Sequence, residues 1–327
     1  MRHVVAAGAL LLLLSFSPDV ARASCGSSSC PIDLHALQFG DGKFSLDLSF
    51  QYIDQDQPRI GSRRAHVGAI ASDHDEIRTI NRLTTLQLNY SLNERFQMAV
   101  TLPYVSRSHE HFDEENARIE RWNFADAGDA TVQGRIRLFA SDSLDHSSLW
   151  LTGGVKLPTG SKRETGSTGE DAEVTIVPGT GSTDALLGVS FQSGTLRDTA
   201  LQGEMGHTTL IPFFIALNGR LNGRGTHDYR RGHELQLNAG TEYPLTSTIH
   251  LLGQINGRMS GKDDVGQTDE NRDLTGARYL YLSPGVRLLL GWKTSIYGFV
   301  QLPVYQHVNG LQLTSKVNYL AGVHKSF

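Results

Sequence analysis

No segment beyond the amino terminus holds eighteen consecutive apolar residues; the best, Leu210 to Leu217, is broken by Pro212 and stops early. A membrane-spanning helix needs about twenty such residues, so none is expected in the mature chain. Hydrophobic residues are also sparse, at 39%, which is lean for the core of a soluble domain of this length. A transmembrane β-barrel is apolar only on its outside and polar within, and that composition suits it. There is no excess of positive charge, the net value being −4, which removes nucleic acid as a partner. Cysteine is nearly absent. The two present, Cys25 and Cys30, are too few for a disulfide scaffold and read as one small disulfide loop in an oxidising compartment. Residues 22–24 lack the leucine of a lipoprotein signal, no third or fourth ligand accompanies the pair, and the C-x-x-C-H haem motif is missing. No cofactor and no metal is expected. His233-Glu234 lacks the second histidine of H-E-x-x-H, and no G-x-S-x-G occurs.

What is present begins with an export signal over residues 1–23: Arg2 and His3, the apolar run Val4 to Leu14, then Ala21-Arg22-Ala23. Residues 24–42 form a periplasmic leader carrying Cys25 and Cys30, and residues 43–327 the barrel. The two-residue period of a strand is cleanest in Lys43 to Asp54. There Phe44, Leu46, Leu48, Phe50 and Tyr52 alternate with Ser45, Asp47, Ser49 and Gln51. It returns in Arg82–Tyr90, Phe96–Tyr104, Gly128–Phe139, Leu149–Leu157, Asp184–Gln192, Thr199–Thr208, Glu234–Tyr243, Ile249–Met259, Arg278–Leu290 and Ile296–Tyr305. Leu311 to Phe327 closes the chain with apolar odd positions, polar even ones and a terminal aromatic. About twelve strands are expected, each long enough to cross a bilayer at a tilt.

The connections alternate in length. Those at Ser91–Glu94, Ser141–Ser147, Ser193–Asp198, Pro244–Thr248 and Gly291–Ser295 are short. Those at Gln55–Ile77, Ser106–Asn123, Pro158–Gly181, Thr209–Gly232 and Gly261–Gly276 are long and polar. Outer-membrane barrels sort their loops this way, short turns in the periplasm and long loops outside. The expectation is an all-β, closed antiparallel transmembrane barrel.

The middle of the chain carries Gly128-Asp129 at a strand entry, then Gly154-Val-Lys-Leu-Pro-Thr-Gly160, then Pro178-Gly-Thr-Gly-Ser-Thr-Asp184. In these the chain resembles the meta-pathway phenol-degradation family of outer-membrane proteins. The resemblance implies a transporter-like barrel associated with uptake of aromatic or other hydrophobic compounds. It carries over no catalytic residue. The terminal Phe327 resembles the signature read by the barrel-assembly machinery. Pro158 and the glycines of the motifs also suit strand ends and turns, a purely architectural role.

On the inward parity fall the charged residues Asp47, Arg135, Arg137, Lys156, Asp184 and Glu204, and also Glu234, Glu242, Arg258, Arg287 and Lys316. They either line a solute path and set its selectivity or pair across strands and satisfy a polar interior. Arg135, Arg137 and Lys156, on adjacent strands, form a cluster of one sign. The same parity places Phe139, Trp150, Tyr279, Tyr281, Tyr297, Phe299 and Tyr305 inward, to fill the lumen or to receive an apolar solute. Leu210–Leu217 reads as an outer loop whose Phe213 and Phe214 either gate the mouth or pack beneath neighbours. Asp73–Glu76, His109-Glu110-His111, Asp263-Asp264 and Asp269-Glu270 lie in outer loops, as solvated runs or as cation and lipopolysaccharide contacts.

A lipid hydrolase would need serine, histidine and an orienting group at one rim. His207 faces outward without a serine partner, so an enzyme is not expected. The expected function is passive passage of small, hydrophobic or aromatic solutes. The other reading is a non-conducting barrel that docks a periplasmic or redox partner through Cys25–Cys30. Outer-membrane lipid and lipopolysaccharide are the surroundings in either case.

Overall fold

The computed structural model describes residues 32, 43–69, 74–113, 117–141, 147–167, 169, 171–199, 207–268 and 271–327. Cys25, Cys30, Glu204, the export signal and most of the leader lie outside the described residues. The strands are β1 (Phe44–Gly61), β2 (Arg63–Arg64), β3 (His74–Ser91), β4 (Phe96–Asp113), β5 (Arg118–Ala127), β6 (Thr131–Ala140) and β7 (Ser148–Lys156). They continue as β8 (Asp184–Thr199), β9 (His207–Leu221), β10 (Glu234–Pro244), β11 (Ile249–Ser260), β12 (Ala277–Gly291) and β13 (Thr294–Ser326).

All belong to one antiparallel sheet in which β13 pairs with β1, so eleven strands close into a barrel, with β2 and β5 outside the ring. Since β1 and β12 run in opposite directions round this wall, β13 cannot be antiparallel to both without reversing. It reverses at Gly310, whose φ of +57° suits glycine, and Asn318 donates back to Gln301 at 2.8 Å. Its two halves bring the wall to twelve crossings, the number the alternation predicts. Closure leaves the ring itself without a free edge, which a bilayer demands of a spanning sheet.

The wall obeys the alternation. Along β10 and β11, Leu235, Leu237, Ile255 and Met259 are exposed to the outside while Asn238, Glu242, Gln254, Asn256 and Arg258 are buried within. Outside is apolar and inside is polar, the pattern of a membrane barrel.

Four expectations need correction. Ser193–Asp198 is not a turn but the lower part of β8, which ends at Thr199; β9 starts at His207, and the middle of the strand expected over Thr199–Thr208 lies outside the described residues. Leu210–Leu217 is therefore no outer loop: it lies in β9, with Phe213 36% exposed on the outer face and Phe214 only 2% exposed within. Pro212 sits just past the last rung shared with β10, Thr241–Phe213, a strand position where a missing N–H is tolerated. Ser106–Asn123 is mostly strand as well, because β4 runs on past the stretch that pairs with β6 and there pairs with β5.

The remaining correction concerns parity. Phe139, Tyr305 and Lys316 face outward. Register shifts lie between Arg137 and Phe139, at Val304 where Pro303 and Tyr305 pair with successive β12 residues, and beside Ser315. Each shift flips the faces beyond it. Lys316 meets Asp56 at 3.2 Å on the surface.

Candidate functional site: the bore

The inner wall has two unlike sides. On β11–β13, the buried Ala277, Tyr279, Tyr281 and Val308 form one apolar cluster, and Leu252, Tyr297, Phe299 and Leu320 another. Tyr279 stacks on Tyr281 with centroids 5.8 Å apart, and Tyr297 donates to Asp47 at 2.8 Å. Four of the aromatic residues expected inside are there. Trp150 is too, with the Arg135 guanidinium 4.2 Å and that of Arg137 5.8 Å from its ring centre. Lys156 is not in that group: its cross-strand partner is Thr131, whereas Arg135 faces Thr152, so the cluster of one sign does not assemble.

Ile32 also lies in the bore. It packs against the Leu252–Tyr297–Phe299–Leu320 cluster. It also borders a cavity of about 230 Å³ whose wall includes Gln97, Gln133, Arg135, Leu186, Asn218 and Gln236. The sequence offered no sign of this, because one isoleucine in a polar leader has no periodicity to read.

Most inward charges are paired. Arg287 and His250 hold Glu242 at 2.7 and 2.6 Å, and Arg258 holds Glu234 at 2.5 Å. The three motifs of the middle region converge on Lys156. Its ammonium lies 2.9 Å from both Asp129 and Asp184 and also donates to Ser182, at 3.1 Å, and to Thr180. Asp129 accepts from the Gly160 and Thr180 amides at 3.0 and 2.9 Å. Gly160 and Gly179 touch backbone to backbone: a Cβ on Gly179 would collide with the Gly160 carbonyl. The motifs thus fasten the ends of the 157–183 connection to β6, β7 and β8.

That connection folds inward. Ile176 and Val177 are buried, with Arg107 donating to the Ile176 carbonyl and Arg231 to the Thr175 carbonyl at 3.1 Å. Above the membrane it rests on an inner cluster of β4 and β5. Trp122 packs on His111 and His109, centroids 4.7 and 5.8 Å apart. His111 meets Glu120 at 2.9 Å and Glu173 at 3.9 Å, and His109 meets Thr79 at 2.8 Å. The histidines of the expected polar loop are thus buried structural groups. No group of three or more acidic, histidine or cysteine side chains suited to a metal occurs among the described residues.

Burial, helped by His111 and Arg107, pushes His109 down from 6.5 to about 3. The unfolded imidazole therefore binds a proton that the folded one refuses, so the stabilisation is full above about 6.5 and is lost as pH falls toward 3. The rate is up to about 1.4 kcal/mol per pH unit. Glu120 is pushed up by burial, but His111 and Arg118 outweigh this and hold its pKa below normal, so its contribution also fades on acidification. Amide protection factors in β4 and β5, with the intrinsic exchange rate divided out, are expected to fall between pH 6.5 and 4, and His109→Gln to flatten much of that dependence.

Above the Ile32 cavity lies a second, of about 320 Å³, lined by Leu83, Val105, Arg107, Lys156, Val177 and Ala277 among others. Arg220 and Glu234 belong to the walls of both. Cross-strand pairing sets them in one belt: Arg220 beside Glu234, Gln236 beside Arg258, Arg258 beside Tyr279. Arg220 was missed because β9 read as a loop. The signal was present, since Phe214, Ala216, Asn218 and Arg220 share the face opposite Phe213, Ile215, Leu217 and Leu221.

Comparison with known proteins places this geometry among outer-membrane barrels. The fold matches the COG4313 outer membrane channel from Pseudomonas putida F1 with a TM-score of 0.62 at 12% identity, covering 90% of this chain and 100% of that one. It also matches the transport unit of the autotransporter AIDA-I from Escherichia coli, with a TM-score of 0.53 at 10% identity, covering 90% and 93%. No protein-family model matches the chain. No curated protein matches it either.

Proposed function

We propose that this chain is a passive outer-membrane channel for small hydrophobic or aromatic solutes. The observation that carries the reading is the bore itself: two cavities in line that share Arg220 and Glu234, with apolar side chains (Ile32, Leu186 and Ala216 below, Leu83, Val105 and Val177 above) set among amides and paired charges. These side chains give an apolar body contacts along an otherwise wet lumen, and the paired charges satisfy the polar side of that lumen. The fold shared with a protein described as a channel is consistent with it. Phe327, exposed at the seam where its amide donates to Phe44 at 2.9 Å, suits recognition by the assembly machinery. Outer-membrane lipid and lipopolysaccharide are then its surroundings.

Purified protein in a planar bilayer is expected to give steps of stable size, interrupted when benzyl alcohol is added. A folded but silent barrel would sink the proposal. Ile32 narrows the path, and burying an isoleucine contributes roughly 1.5–3 kcal/mol. Ile32→Asp should therefore raise the open fraction about tenfold or more, since each 1.4 kcal/mol is a factor of ten.

A further inference from the structure

The belt shared by the two cavities has one cation too many. Glu234 uses its oxygens on Gln236 and Arg258. Arg220 stands beside it on the neighbouring strand and shares its charge with Arg258, yet among the described residues it makes no hydrogen bond of its own, and its Nε is buried without a partner. Two guanidinium groups against one carboxylate leave a net positive charge at the neck. Arg220 is only partly buried and opens on both cavities, and the group that best complements it there is a carboxylate, which matches the guanidinium fork with two parallel hydrogen bonds.

Arg220 is also not in a purely polar setting. Its cross-strand neighbour on β8 is Leu186, which with Ala216 and Ile32 lines the lower cavity. Leu83, Val105, Val177 and Ala277 supply apolar surface in the upper one. A ligand with a small anionic head and an apolar body could satisfy Arg220 and keep its body against these side chains in either chamber. We infer that Arg220 forms a binding site for the carboxylate of small aromatic or aliphatic acids, midway along the bore. This rests on the channel reading and narrows its solutes to those with a single negative charge.

The test uses the full mature chain in detergent, titrated calorimetrically with benzoate, benzyl alcohol and inorganic phosphate. Benzoate is expected to bind at least tenfold more tightly than either of the others. Arg220→Gln should weaken benzoate at least tenfold and leave benzyl alcohol unchanged, whereas Arg220→Lys, which keeps the charge and loses the fork, should fall between. The lysine variant also serves if the glutamine one fails to show the heat-dependent gel mobility of a folded barrel. Equal affinities for benzoate and benzyl alcohol, or no effect of either substitution on benzoate, would overturn the site. Phosphate binding as tightly as benzoate would overturn the apolar half of it. Benzoate binding by a barrel that gives no conductance would remove the channel reading alone, and a conducting barrel indifferent to benzoate would remove the site alone.

Discussion

Lys156→Met is expected to destabilise the outer rim by about 3–5 kcal/mol, the usual cost of breaking a buried ion pair by removing one partner. Lys156 is buried between Asp129 and Asp184, themselves buried, and its loss leaves two carboxylates facing each other with no counter-charge. Methionine fills much of the volume, so the cost is electrostatic rather than a cavity. The damage should centre on the outer connections. Asp129 also accepts the Gly160 and Thr180 amides that pin both ends of the 157–183 connection, and Asp184 accepts the Gly223 amide at the start of the next outer connection. Limited proteolysis of vesicle-embedded protein should cut within residues 157–183 at least tenfold faster than in the parent. In a bilayer the same variant should flicker, since Ile176 and Val177 would no longer be held inside. Adding Asp184→Asn should restore part of the loss by removing one stranded charge. Unchanged cleavage in Lys156→Met would mean that the network is incidental to how the connection is held.

That network also shows what a single sequence reveals and what it withholds. The fold was legible because the bilayer imposes its own contrast. Where the wall crosses lipid, as in Phe44–Tyr52 or Leu235–Tyr243, greasy and polar residues must alternate. Above the lipid the contrast disappears. Gln55, Asp56 and Gln57 of β1, or Ser106, Arg107, Ser108 and His109 of β4, are polar on both faces, so strands read there as loops. Bulges are silent for a related reason. Val304 adds one residue without altering composition, and the parity beyond it inverts. The motifs around Gly128, Lys156 and Asp184 were legible as turn chemistry, but their meeting at one ammonium is a property of closure. Arg220 was lost for a different cause: Pro212 and the neighbouring apolar run suggested a gate, and that reading hid the alternation beyond it.

The β8–β9 pair, where sequence and structure part most, offers the sharpest test of the wall. Val189→Arg should cost roughly 2–4 kcal/mol, the penalty for arginine on the lipid face near the midplane of a barrel. Ser190→Arg, one residue on, should cost less than about 1 kcal/mol. Val189 lies in an exposed row with its partners Leu151 on β7 and Leu217 on β9, which is a hydrocarbon-facing band. Ser190 faces the lower cavity, and its cross-strand partners are Trp150 and Ala216. An arginine there finds water, space and an aromatic face, all of which the lipid side denies it. Urea unfolding of both variants in lipid vesicles measures the difference directly. Should Ser190→Arg prove the more damaging, β8 is turned over, β9 with it, and Leu217 rather than Arg220 would point into the bore.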